Sequence, residues 1–316
     1  MLSLNYSAYR ILQELLESPE FYNLKITNSD SGATIIDAGI HAKGGYLTGR
    51  KVVEVCLGGL GKTNINIKRY GSIYLPTIFV YTDHPAIATL ASQFAGWRVK
   101  HDGYYAMGSG PARALALKPR KLYEALEYRE EADVAVLVLE SNRIPPEGAI
   151  QDIANKCRVD PRNLYLIVTP TSSLTGAVQI SGRVVETGIH RMSEEGLDPK
   201  CILHACGSAP IPPTHPKGLL AMGWTNDAIL YGGIVYLTLH YEDEERLKKM
   251  VEASVSSASD VYGKPFYKIF EEAEYDFYKI DPKLFAPATI IINNLATGRL
   301  FHSGSVNNGV LIDSFK

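Results

Sequence analysis

Leu164-Tyr-Leu-Ile-Val-Thr-Pro-Thr-Ser-Ser-Leu174 passes from one structural period to another. Leu164–Val168 has the length and apolar content of a short buried strand, and Pro170 stops it. After Thr171-Ser172-Ser173 the apolar residues recur at helical spacing, which predicts a helix of about twenty residues ended by Gly196. Working outward, Thr34–Asp37, Val52–Leu57, Ile73–Tyr81 and Val134–Leu139 read as strands on their β-branched content. Ile229–Tyr241 carries strand-like Val, Tyr, Leu and Thr, and Ala288–Asn293 and Val310–Ile312 read as late strands. Helices are predicted at about Tyr6–Leu16, at Lys121–Glu131 and at Glu242–Ser254. Several strands follow one another with no helix between them. That favours an α+β fold, or an irregular α/β layering, over a doubly wound sheet. A length of 316 residues suggests about two domains, placed at 1–165 and 166–316 with strands free to exchange between them.

Composition removes several function classes. Lys plus Arg number 32 against 34 Asp plus Glu, so the basic excess of a nucleic-acid binder is missing. The N-terminal stretch up to Glu14 has Arg10 among its apolar residues and reads as an amphipathic helix, not as a signal peptide. Val134–Leu139 and Ala288–Ile292 are the longest apolar stretches and fall far short of a bilayer span. The expectation is a soluble, cytoplasmic protein with neither a membrane nor a nucleic-acid partner. Cys201 and Cys206 have no second pair to complete a zinc site, although His190 and His204 are near in sequence. The four cysteines, with Cys56 and Cys157, read as buried thiols in a reducing compartment.

Five segments carry candidate chemistry. Cys56-Leu-Gly-Gly-Leu-Gly-Lys62-Thr63 has the end of a phosphate-binding loop, but Cys56 stands where that loop needs its first glycine. The Asn-Ile-Asn-Ile-Lys that follows looks like a strand, not the required helix. A glycine-lined ligand wall with Lys62, or a plain tight turn, remains. In Met107-Gly-Ser109-Gly110-Pro-Ala-Arg113, Pro111 suits the first position of a helix. Ser109, Gly110 and Arg113 there either receive an anion or form an ordinary helix entry. Glu140 closes the apolar run Val134–Leu139, where sheets present polar groups to ligands, or it is simply solvated. Asn226-Asp227 either binds a ligand or caps a turn before a strand, the cap being favoured on residue type. Finally, Gln179, Arg183, Glu186 and His190 fall within an arc of about 60° on one helix, at about 100° per residue. Val178, Val185 and Ile189 flank that stripe on one side, with Ile180 and Val184 on the other. A solvent-facing stripe is usually broader, so this one is expected to face an internal cleft.

These stretches, in order, resemble the methenyltetrahydromethanopterin cyclohydrolase family. The resemblance rests on Asp37-Ala-Gly39 with Gly44-Gly45, Leu57–Gly61, Gly108–Ala114, Pro170–Leu174, Gln179–Thr187, Ala209–Pro213 and Ala221–Gly233, with the Arg183/Glu186 stretch the most specific. It implies two related α+β units with the coenzyme in a cleft between them, assembled as a homotrimer. It also implies metal-independent hydrolysis of the methenyl bridge on tetrahydromethanopterin, or a close variant, in archaeal one-carbon metabolism. The pterin is then a coenzyme substrate, and no cofactor is permanently bound. In that frame Glu186 is the base for water and Arg183 orients it. Gln179, Glu140, Ser109, Gly110, Asn226 and Asp227 become substrate contacts, and Lys62 and Arg113 suit an anionic tail. Two other readings stand beside it: a nucleotide- or phosphate-binding transferase resting on Gly61-Lys62-Thr63, and a pterin-binding protein without turnover.

Overall fold

A computed structural model gives the structure of the protein over residues 2–316. In chain order the first elements are α1 (Leu4–Glu17), β1 (Lys25–Asn28), β2 (Thr34–Asp37), α2 (Tyr46–Cys56), β3 (Gly61–Tyr70) and β4 (Ile73–Thr82). A π-helical segment, Ile87–Gln93, leads to β5 (Trp97–His101), β6 (Tyr104–Ser109), α3 (Ala112–Ala116), α4 (Arg120–Leu126), β7 (Ala135–Glu140), α5 (Glu147–Cys157) and β8 (Leu164–Thr169). Then come α6 (Leu174–Ser181), α7 (Val184–Glu194), β9 (Ile202–Pro210), α8 (Gly218–Gly232) and β10 (Ile234–Leu239). The chain ends with α9 (Glu244–Ala253), α10 (Phe266–Glu272), β11 (Thr289–Asn294), β12 (Arg299–Gly304) and α11 (Asn308–Ser314).

These elements form two compact units, each with a six-stranded mixed sheet, so the fold is α+β. The first unit holds residues 1–62 and 87–179, and the second holds 63–86 and 180–316. In the first sheet the order is β1-β2-β8-β7-β6-β5, with β2, β8 and β7 mutually parallel and the outer pairs antiparallel. Val136, Val138, Ile36 and Ile167 face Ala8, Leu12, Val52 and Val55 of α1 and α2, while Leu137, Leu139, Leu166 and Val168 join the Ile150 and Ile153 side chains of α5. Both faces of the parallel strands are therefore covered, which explains their unbroken apolar runs. Asn5 of α1, fully buried, accepts from the Val136 N–H at 3.0 Å and donates to the Pro111 carbonyl at 3.1 Å. The second sheet runs β12-β11-β10-β9-β4-β3, with β10 and β11 parallel.

Several elements differ from the sequence expectation. Val52–Cys56 is helical, with Leu57 as its C-cap: the stretch is buried all round, and tertiary packing overrides its β-branched character. Ile229–Tyr241 is divided, with α8 running through Gly232 and β10 starting at Ile234, where alternate burial begins. Asn226 and Asp227 consequently lie inside α8, not in a turn before a strand. Val310–Ile312 belongs to α11, whose cap Asn307 accepts from the Val310 N–H at 3.2 Å. The single helix expected after Ser173 is two, α6 and α7, broken at Gly182-Arg183. At the break the Arg183 N–H reaches back to the Ile180 carbonyl at 2.9 Å, and the Ser181 hydroxyl donates to the Pro210 carbonyl at 2.9 Å.

Helix α7 lies close on the second sheet. A methyl group on Gly207 would sit 2.8 Å from the Ile234 carbonyl oxygen and 2.9 Å from Val185 Cγ2. Across the contact, Gly188 faces the Val235 side chain, with a built Cβ only 3.0 Å from Val235 Cγ2. Gly207→Ala should lift α7 and cost about 1–3 kcal/mol, as overpacking does. Denaturant unfolding of the variant checks this; an unchanged midpoint would mean that α7 has room to spare.

Candidate active site

The helix break decides where the acidic and basic side chains of the Gln179–His190 stretch stand. Arg183 is the residue before the first turn of α7, with φ −83° and ψ 0°, and Glu186 lies within that turn. Unpaired N–H groups and the helix dipole favour a carboxylate at such a position. Both side chains are buried, at 9% and 8% exposure, and Arg183 Nη1 stands 3.8 Å from Glu186 Oε2. At that separation the contact is coulombic rather than a close hydrogen bond. The Thr187 hydroxyl donates to the Arg183 carbonyl at 3.0 Å and steadies the turn. A solvent stripe is excluded for this pair. His190, one turn on, is half-exposed and 4.0 Å from Glu194.

In the first unit, polar side chains gather at the carboxyl ends of the parallel strands. The pairings Asp37↔Val168 and Glu140↔Thr169 bring β2, β8 and β7 to an end on one line. Asp37 is buried, and its carboxylate accepts from four successive backbone N–H groups, those of Gly39, Ile40, His41 and Ala42, at 2.7–3.2 Å. That one side chain fixes the loop up to Gly44-Gly45, where the Gly45 N–H donates to Thr175 Oγ1 at 3.0 Å. Glu140 is half-buried and accepts from the Thr171 hydroxyl. Sequence reasoning passed over Asp37 and Thr171 as site-builders. The signal for Asp37 was there, an acid at a strand end followed by a small residue and glycine.

Three of the expected site residues meet around one that was set aside. Ser109 Oγ lies 3.6 Å and Gln179 Nε2 lies 4.0 Å from the Cys56 thiol. Gly110, at φ +99°, takes a backbone conformation suited to glycine, and a built Cβ there would be 3.9 Å from Cys56 Cα. Cys56, Ser109 and Gln179 are all buried.

The remaining expected contacts stand elsewhere. Arg113 is completely buried, and its guanidinium donates to the backbone carbonyls of Lys118, Leu90 and Ser92 at 2.8–3.1 Å, between the Phe94 and Tyr123 rings. It holds a loop junction together, in place of the anion contact expected of it. Lys62 lies in β3, 3.5 Å from the buried Glu54 carboxylate, and opens no helix, so the geometry of a phosphate loop is absent. The Asn226 amide donates to the Met222 carbonyl one turn earlier in α8. Asp227, fully buried, accepts from the Phe266 N–H at 2.8 Å and from the Ser314 hydroxyl, tying α8 to the starts and ends of α10 and α11. Burial pushes its carboxyl up to about 7. Cys56 and Cys157 are buried as expected, but Cys206 is exposed and Cys201 half-buried. Among the described residues no group of three or more His, Cys, Asp and Glu is placed to hold a metal ion, and no helix is long and apolar enough to cross a membrane.

Compared with known families, residues 3–315 match the family described as Cyclohydrolase (MCH). The chain belongs to that family. It is an enzyme, a cyclohydrolase. The methenyltetrahydromethanopterin cyclohydrolase of Methanothermobacter marburgensis is 46% identical over 321 aligned residues, covering 100% of this chain and 99% of that protein. The enzymes of the same name from Methanocella arvoryzae and Methanocaldococcus jannaschii are 46% and 44% identical, over 100% and 98% of this chain and 98% and 97% of their own.

The Asp227 junction has a pH signature. Its carboxyl keeps its proton in the folded protein to about pH 7 but loses it near 3.8 when unfolded. Its contribution is therefore full below pH 3.8, falls as pH rises to about 7, and is flat beyond. Asp227→Asn should keep both hydrogen bonds and abolish that decline. Asp227→Ala should cost about 1–3 kcal/mol by stranding the Phe266 N–H. Thermal unfolding from pH 4 to 8 compares them, and identical profiles for Asn and wild type would refute the assignment.

Proposed function

We propose that this cyclohydrolase reversibly hydrolyses the methenyl bridge of 5,10-methenyltetrahydromethanopterin, giving the 5-formyl coenzyme. Full-length similarity to enzymes of that name supports the substrate. The buried Arg183–Glu186 pair at the start of α7 is the observation that carries the mechanism.

The bridge carbon is bonded to two nitrogens and shares their positive charge, so it is already electrophilic. What the protein must add is orientation, a base for the water, and a proton for the nitrogen that leaves. In this reading Glu186 takes a proton as the water oxygen bonds to the bridge carbon. The adduct then expels the arylamine nitrogen, which receives that proton from Glu186. The carbonyl of the formyl group forms as the hydroxyl gives up its own proton to solvent. Cation plus water thus becomes a neutral formyl compound plus one released proton. Arg183 has two opposed effects to balance: burial disfavours the ionised carboxylate, and the guanidinium 3.8 Å away favours it. Glu186 must be ionised to act as a base, and the neighbouring guanidinium favours that form.

Purified protein mixed with methenyltetrahydromethanopterin should consume it, read as loss of the near-ultraviolet absorbance of the methenyl form. Glu186→Gln keeps the shape and removes the base, and should lower turnover by about 10²–10⁴-fold. Near-normal turnover by that variant would remove Glu186 from the mechanism. Arg183→Leu should lower turnover as well, with an altered pH profile. The assembly proposed with this activity is a homotrimer, and light scattering should return about three times the 34.7 kDa of one chain; a monomer mass would refute it.

A further inference from the structure

Gln179 is a polar side chain whose burial the fold leaves unexplained. It is 1% exposed, its Oε1 accepts no hydrogen bond from any described residue, and its Nε2 has only the Cys56 thiol, 4.0 Å away. A thiol at that distance is a poor substitute for water. Asp37 of the same unit, by contrast, has four N–H donors, and the Asn5 side chain has both a donor and acceptors. An enclosed carboxamide without partners destabilises a fold, and a methionine or leucine of similar volume would not. Such a group is expected where it is held for a ligand.

Its neighbourhood fits that use. Cys56 is its neighbour, and beyond Cys56 stand Ser109 and Gly110, the last with no side chain to fill the space beside the Cys56 backbone. Gly49 of α2 lets the helix carrying Gln179 come close, since a built Cβ there would meet Val178 Cβ at 2.5 Å. Rigid elements thus fix the carboxamide from both sides. Four residues further along the chain is Arg183, and seven further is Glu186.

We propose that Gln179 is a ligand-binding residue of the cyclohydrolase reaction, its Oε1 accepting a hydrogen bond from an N–H of the bound coenzyme or from the O–H of a bound water. The inference rests on the reading above and gives Gln179, expected from the sequence only as a substrate contact, a defined chemical role there. Both sources present the same chemistry, a polar hydrogen directed at an amide oxygen. They differ in kinetics: an acceptor for the coenzyme shows mainly in KM, and one for the reacting water mainly in kcat.

The test is Gln179→Met, with Gln179→Glu beside it, each measured for thermal unfolding and for turnover of the methenyl coenzyme. The expected result is a Met variant that melts at the wild-type temperature or above and has lost at least tenfold in kcat/KM. The Glu variant, which keeps acceptor oxygens, should retain more activity than Met. Turnover by Met within twofold of wild type would overturn the proposal, since the carboxamide then serves no ligand. A Met variant that melts several degrees lower, or fails to fold, would overturn it equally, by showing that the group supports the structure. If the wild type itself leaves the methenyl form unconsumed, the proposed reaction fails separately. Gln179 is then judged by the rise in melting temperature that the coenzyme produces in wild type, which Met should lose; an equal rise in both would refute it.

Discussion

The closeness of α7 to the second sheet is the constraint on which the reactive pair depends. Gly207 on the sheet and Gly188 on the helix leave no room for even a methyl group between Val185, Val235 and the Ile234 backbone. The chain breaks at Gly182-Arg183 just before this helix. The break places Glu186 in a helix's first turn instead of in mid-helix. The glycines set how closely α7 lies on its sheet, and the first turn of that helix sets the surroundings of the carboxylate.

Elsewhere the fold gives several buried polar groups a defined employment. Asp37 closes a loop on its own backbone, Arg113 joins three carbonyls between two aromatic rings, and Asp227 anchors the ends of two helices. Arg113 and Asp227 look like ligand contacts when read as residue types, and in the fold their hydrogen bonds go to the protein itself. Buried charges of this kind are costly to strand, so their bonding partners reveal their purpose better than their identity does.

That distinction marks how far the sequence could be read. Strands with a clean signal, such as Thr34–Asp37, Ile73–Thr82 and Leu164–Thr169, were legible because their composition and their burial agree. Val52–Cys56 and Val310–Ile312 were not, because β-branched residues there serve helical packing, and tertiary contacts outrank intrinsic preference. The Arg183–Glu186 pair was legible as a narrow stripe between apolar flanks, even though the continuous helix used to find it does not exist. The pair is buried and its i, i+3 spacing survives, because Arg183 directly precedes the first turn of α7, which holds Glu186. The cluster around Cys56 was hidden, since it joins positions 56, 109 and 179, and no local pattern announces contacts at such separation.

The path of the chain has a consequence for synthesis. The hairpin of β3 and β4 is made before most of the first unit, yet it belongs to the second, whose remaining residues begin at 180. During translation this ribbon must wait for its neighbour β9, which lies more than a hundred residues downstream. An isolated two-stranded ribbon is marginally stable in water, so the interval exposes a bare edge and its apolar face. The first unit, for its part, is interrupted by that same insertion and closes only when residue 179 has emerged. No single cut in the coding sequence therefore separates one unit from the other. Each unit thus draws on segments made far apart in time, and the two are inherited as one indivisible piece.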